Sequence, residues 1–322
     1  MAGVTELPLE EAQGDIRLSD YSSNSLWRLT LRRLFRQRSA IIGGAMLLFL
    51  VLVATFAPLI APYDPIQTLI GREDIRKRAS PCIHLLGCPA DQPQHLMGVD
   101  GNVRDEFSRI VYGTRVSLRI GILTVGFAII IGTVLGAVAG YTGGVLSDVI
   151  MRALDVVLAF PFLLLAIAIV SVLGPGLTNA MLAIAIISIP QYARVVRASV
   201  LSVREQQYIE ASRALGAGHM RILFGRILPN ALPPLIVVGT LGIATAILDT
   251  AALSFIGLGA QPPEAEWGSM LAQERNQVFS APHLVFLPGL AIMLTVLAFN
   301  LLGDGLRDAL DPRLAHSGIK AE

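Results

Sequence analysis

Residues 156–193 read VVLAFPFLLLAIAIVSVLGPGLTNAMLAIAIISIPQYA, 38 consecutive positions without a charged side chain. Roughly 20 apolar helical residues cross a hydrocarbon core of about 30 Å. The run is therefore too long for one crossing and fits two. Gly174-Pro175-Gly176 interrupts it and reads as the turn between them. Further uncharged runs lie on either side. Residues 39–63 hold a span from Ala40 to Phe56, ended by Pro58 and Pro62, and residues 120–147 hold the next. Residues 227–248, after Pro229, form a fifth crossing, and 276–303 contain a sixth from Val285 to Leu302. No strand alternation is visible, so the backbone must satisfy its polar groups as helices inside lipid. The fold class is an all-α membrane protein with six transmembrane helices.

Composition agrees. Of 322 residues, 53% are hydrophobic and 15% charged, and mean hydropathy is +0.63. A soluble chain of this length carries nearer a quarter charged residues. A net charge of +1 speaks to no nucleic-acid partner. Residues 1–39 are too polar for a cleavable signal peptide. Before the first span, Leu26, Leu29, Leu34 and Phe35 recur at helical spacing among Arg28, Arg32, Arg33 and Arg36, the pattern of an amphipathic helix lying on membrane lipid. Placing both termini inside puts 16 of the 25 basic residues on the inner side and nine outside, eight of these in the long segment 64–119. The positive-inside rule thus favours N-in, C-in. Arg115 and Arg119, at the start of the second span, are then accommodated by snorkelling or by an outer interfacial helix.

Between the fourth and fifth crossings lies a charged loop, 194–226, rich in helix formers. Loops this long are usually functional or disordered, and this one lacks a disordered composition. Two short helices with a turn at Gly216 fit, because Gly permits a left-handed exit. Small Ala211 and Ala214 allow a partner surface to approach, and Glu210 offers a charged contact.

Here the residues carry a resemblance. Glu210-Ala211-Ser212, then Gly216, then Leu228-Pro229 resembles the cytoplasmic loop of ABC importer permeases, with Ser212 in place of the second Ala and Arg226 where Ile is usual. Gly98-Val99-Asp100 through Arg104-Asp105 to Ser108-Arg109 resembles an element of the peptide/nickel branch, although Val103 stands where that branch has Gly. So do MRALDVVLAFPFLLLA (151–166), LGPGL (173–177), YARVVRASVLSVRE (192–205), LSFIGLGAQPPEAEWGSML (253–271) and AFNLLGDGLRDALDPRL (298–314). The likeness covers about 40–314. The chain is similar to the second, C-type permease of dipeptide and oligopeptide importers, which implies the type I importer permease fold.

The resemblance implies several expectations. Glu210, Ala211, Ser212, Ala214, Leu215 and Gly216 would be the ATPase-coupling residues. Partners would be a homologous second permease, two ABC ATPases and an extracytoplasmic solute-binding protein, in a prokaryotic inner membrane. The chain would bind no cofactor or metal, with ATP and Mg2+ held by the ATPases. It has no P-loop of its own, since Lys77 follows Arg76 and Lys320 follows Ile319. The chain divides into a tail (1–39), a first helix (40–60), an extracytoplasmic loop (61–113), a five-helix core (114–314) containing the 194–226 loop, and a C-terminal tail (315–322). A stand-alone secondary transporter or channel is the rival reading. It would want inverted repeats and buried charge chains, and would leave the loop without a use, as a non-transporting scaffold would not.

Several residues stay open between readings. Asp155 reads as an i,i+3 pair with Arg152 or as a pathway acid. Asp249, in the fifth span, faces the pathway or the partner permease. Asn300 and Asp304 mark the end of the sixth helix. Cys82 and Cys88 can close a disulfide in an oxidising compartment, remain thiols, or bind metal with His84 and His95. Trp267, in the outer loop 257–284, reads as an interfacial anchor or as part of a contact with a delivery protein.

Overall fold

The computed structural model describes residues 34–89 and 91–310. Most of the amphipathic segment before the first span lies outside them. The described residues form helices and loops with three isolated bridges and no sheet. The helices are α1 (Arg38–Thr55), α2 (Ala57–Ile60), α3 (Glu106–Thr142), α4 (Gly144–Leu158), α5 (Phe162–Leu173), α6 (Leu177–Arg204), α7 (Gln207–Ala214), α8 (His219–Ile222), α9 (Leu228–Phe255), α10 (Trp267–Glu274) and α11 (His283–Leu310). Short 3₁₀ turns occur at His84–Leu86 and Arg275–Gln277, and a π turn, Leu223–Ile227, leads into α9.

Five helical rods are long and apolar enough to cross a membrane: α1, α3, α6, the α8–α9 unit and α11. The third crossing, expected in the part of 156–193 before Gly174, starts earlier and is not one helix. It is a pair, α4 and α5, bent by 90°. Pro161 explains the break: it has no N–H to donate and pushes Phe160 out of helical geometry. At 12 residues, α5 is only about 18 Å long and does not cross alone. Six crossings leave residues 34 and 310 on the same side.

The second crossing also departs from expectation. α3 begins at Glu106, not near Ile120, and runs 37 residues, about 55 Å. Its uncharged part, 120–142, matches the bilayer, and the preceding turns stand outside it. Arg115 and Arg119 are exposed on that extension, Arg115 lying over the Tyr112 ring. Asp105 caps the helix, accepting from the Ser108 N–H at 2.7 Å.

α3 lies along α6 for most of its length, α9 packs on α6, α3 and α11, and α1 rests on α11 at the periphery. Close approach is made by small residues, as lipid-embedded interfaces require. Gly132, Gly136 and Gly140 line one face of α3 against Tyr192, Ala193, Val196 and Val200 of α6. A Cβ at Gly132 would stand 2.8 Å from that of Tyr192. Gly43 fits α1 equally tightly against Leu302. α11 continues to Leu310, so Asn300 and Asp304 fall within the helix and do not end it.

Candidate coupling loop, outer clasp and pathway wall

The inner loop is ordered. α7 ends at Gly216, whose φ of +78° is the left-handed exit that Gly tolerates. The Gly216 N–H donates to Arg213 and that of Ala217 to Ser212, which satisfies α7's last carbonyls. Ile209 is the inward apolar residue of α7, while Glu210, Ala211, Ala214, Leu215 and Gly216 are exposed. Leu215 is 87% exposed, and Met220, Phe224 and Tyr208 add to an apolar cytoplasmic face.

Ser212 stands apart from the other five. It is 2% exposed and turned inward. Its hydroxyl donates to the Tyr208 carbonyl and accepts from Arg226 Nη1 at 2.7 Å. Both departures from the resembled loop, Ser212 and Arg226, are thus bonded to each other. They link α7 to the π turn that starts α9. Partners 14 residues apart across a turn leave no periodic signal, and sequence reasoning missed this bond. α3 reaches the same region: Tyr141 Oη lies 2.7 Å from His219 Nδ1, and Arg204 donates to the Tyr141 carbonyl.

On the outer side, the segment 98–109 is a clasp. Asp100 accepts from the Arg104 guanidinium at 2.7 Å and from the N–H groups of Asn102 and Arg104. Arg104 also donates to Gln273, and Arg78 and Gly101 donate to Glu274. Buried Arg109 donates to the carbonyls of Pro65, Pro263 and Glu264. The turn survives without the usual Gly, because Val103 itself adopts φ +56°. Its side chain is buried with Leu69 and Val99. Trp267 is 1% exposed and donates to the Ile110 carbonyl, a core residue and not an interfacial anchor. Glu266 caps α10 through the N–H groups of Gly268 and Ser269. Burial pushes its carboxyl above the usual range despite those bonds.

Cys82 and Cys88 are joined as a disulfide with Cα atoms 5.4 Å apart. Cys82 also pairs through its backbone with His95. His95 is 2% exposed and stacked on Tyr63. It is held between Asp105 at 2.7 Å and Glu73 at 3.0 Å. Burial opposes its charge, but the bonds and charges of Asp105 and Glu73 outweigh that, and its pKa lies above the usual value. Burial and the neighbouring Glu73 push the Tyr63 phenol up to about 12. His84 bonds to the Gln92 carbonyl.

Of the two acids in the helices, Asp155 pairs with Arg194 of α6 instead of Arg152. That pair is half exposed and bridges α4 to α6 near the inner end. Asp249 is half-buried on α9 in a pocket of mixed lining that it shares with Ser188, Gln191 and Tyr192 of α6.

Residues 132–316 match the family model described as "binding-protein-dependent transport system inner membrane component". This chain belongs to that family. Residues 25–81 match a second model, the N-terminal transmembrane domain of oligopeptide transport permease C. The permease is 47% identical to the dipeptide transport system permease protein of Alkalihalophilus pseudofirmus, over 91% of this chain and 92% of that one. It is 44% identical to the glutathione transport system permease protein of Pectobacterium atrosepticum, over 92% and 94%. Among solved structures, a chain of the inward-facing MetNI methionine ABC transporter aligns with a TM-score of 0.53 at 23% identity. The alignment covers 63% of the permease and 96% of that chain, a likeness of fold. The permease is therefore a multi-pass inner-membrane subunit of an ABC importer, with the six-crossing, all-helical architecture expected from its uncharged runs.

Proposed function

We propose that this permease forms half of the pathway of an ATP-driven importer of di- and oligopeptides. A second, homologous permease forms the other half, and an extracytoplasmic solute-binding protein delivers cargo. Two ABC ATPases dock on the α7–α8 face and hydrolyse ATP with their own Mg2+, and this chain carries no cofactor. The observation that carries the reading is the exposed set Glu210, Ala211, Ala214, Leu215 and Gly216 on an ordered cytoplasmic helix pair. The peptide cargo is supported by end-to-end likeness to relatives named for dipeptide and glutathione transport.

In this mechanism ATP binding closes the ATPases and moves α7. The Ser212–Arg226 bond carries that motion into α9. The Tyr141–His219 contact carries it to α3. Because α6 packs on both helices, the wall reorients between inward- and outward-facing states, and only differential binding to those states does work. Asp155, with Arg194, belongs to the inner rim of that wall.

The complete importer, reconstituted with binding protein in liposomes, tests the reading. ATP-dependent uptake of a labelled dipeptide is expected. Glu210→Arg with Gly216→Val should abolish uptake and lower co-purification of the ATPases. Normal transport by the doubly disrupted complex, or ATP-independent uptake by this chain alone, overturns it.

A further inference from the structure

We propose that the pocket between α6 and α9 is a subsite for a primary ammonium group of the cargo, with Asp249 as its counter-charge. The proposal rests on the peptide-importer reading and names which part of the peptide the wall recognises.

The pocket has a volume of ≈ 190 Å³; its polar lining comes from Thr245 and Asp249 of α9 and Ser188, Gln191 and Tyr192 of α6, and its apolar wall is all from α9. Thr245 and Asp249, four residues apart, share one face of α9, and Ser188 and Gln191, three apart, share one face of α6. Asp249 lies about 9 Å from the outer end of α9. No hydrogen bond or ion pair to its carboxylate is formed among the described residues, and no Lys or Arg lines the pocket. An ionisable side chain within a span is costly unless a cavity or a partner receives it.

Asp249, the one charged group in the lining, decides the sign of the ligand; the Gln191 amide and Tyr192 hydroxyl can each accept as well as donate, and two further hydroxyls can only accept. Ser188 Oγ donates its proton to the Ile184 carbonyl at 2.7 Å, and Thr245 Oγ1 donates to the Leu241 carbonyl at 3.3 Å. Each retains only acceptor lone pairs for the pocket, and the ionised carboxylate is acceptor-only. This array fits a group that carries donors and positive charge. A primary ammonium, with three N–H bonds and no acceptor, is such a group, and every peptide with a free N-terminus has one. A carboxylate or phosphate would meet the like charge of Asp249. The pocket floor is fixed: the Tyr192 hydroxyl reaches over Gly242, where any side chain on α9 would collide with it.

Two measurements on the complete importer test this. In uptake driven by saturating loaded binding protein, Asp249→Asn should lower the maximal rate for a free dipeptide by about tenfold, the loss of one charge-assisted bond. Asp249→Glu should restore most of it, with the KM for loaded binding protein unchanged. In the second, carbodiimide is added to the wild-type complex with excess alanyl-alanine amide. The activated Asp249 carboxyl should be attacked by the bound amine. The neutral amine displaces the carbodiimide-derived urea from the activated carboxyl, and the resulting amide bond is read by mass spectrometry at Asp249. N-acetylalanyl-alanine amide, lacking the ammonium, should give no adduct.

Wild-type uptake of no peptide at all would sink the peptide-importer reading itself. Peptide uptake that Asp249→Asn leaves unchanged, without an adduct, overturns the subsite alone. Loss of the second permease on purification of Asp249→Asn makes the residue a subunit contact and overturns it too. Rates for every cargo that depend on sodium through Asp249 assign the pocket to an inorganic cation, against the proposal.

Discussion

Val103 occupies a left-handed backbone position that costs an L-residue about 1–2 kcal/mol. Its buried side chain offsets that cost through contact with Leu69 and Val99. Val103→Ala keeps the backbone penalty and loses burial, whereas Val103→Gly loses burial but relieves the strain. The Gly variant should therefore be at least as stable as the Ala variant in detergent thermal unfolding, within about 1 kcal/mol, against the usual ranking of the two residues. A Gly variant melting well below Ala would remove the strain argument. His95 gives a pH dependence. Its folded pKa is raised, so its contribution is complete below its unfolded value of about 6.5 and fades as pH climbs through the folded value. Tryptic cleavage at Arg72–Arg78, measured relative to His95→Asn, should thus increase in wild type as pH rises above neutrality. A wild-type-to-variant ratio that stays flat from pH 6 to 8.5 would exclude the clasp. The departure at Val103 was legible in the sequence; the His95 clasp was not, since His95 appeared there only as one of several candidate metal ligands.

At the scale of elements, the uncharged runs located the five long rods, because lipid tolerates few charges wherever a helix faces it, but only the second half of the bent pair, since α4 carries Asp148, Arg152 and Asp155. They missed what lies beyond lipid. The outer turns of α3 carry Arg109, Arg115 and Arg119 and are held by loop carbonyls and acids instead of by hydropathy. The bend at Pro161 was written in the chain, but the uncharged run on both sides hid it. The candidate coupling loop stood out by its length, its small residues and Gly216, and the resemblance added Ser212, which faces inward. Two predictions belong here. Gly132→Leu forces α3 from α6 at Tyr192 and should destabilise the subunit by about 1–3 kcal/mol or more, seen as a lowered thermal midpoint. An unchanged midpoint would mean that the helices are not packed there. Arg226→Ala removes the tie between α7 and α9. ATPase subunits should still co-purify, while peptide taken up per ATP hydrolysed falls several-fold. An unaltered ratio would place transmission elsewhere.

For the whole molecule, both ends inside is the arrangement that puts the joined cysteines in an oxidising compartment and α7–α8 in the cytoplasm. A membrane-impermeant maleimide should label Phe279→Cys in intact cells and Met220→Cys only in inverted vesicles. The reverse pattern would invert the topology. Orientation was legible from Arg and Lys because the inner segments hold 16 of the 25 basic residues and most of the others lie in the one long outer segment, 64–119. The fold of the outer segment was not, since it depends on contacts between residues as distant as Arg78 and Glu274. The length of α3 bears on both faces at once. Its outer end is gripped by the clasp around Asp105, and its inner end touches His219. One continuous rod is therefore in contact with two aqueous compartments. Free energy is a state function, so any outer ligand that favours one tilt of this rod must change the affinity of an inner partner by the same factor as that partner changes its own. A loaded delivery protein and a nucleotide-bound motor would then report each other's presence in their dissociation constants before any cargo has crossed.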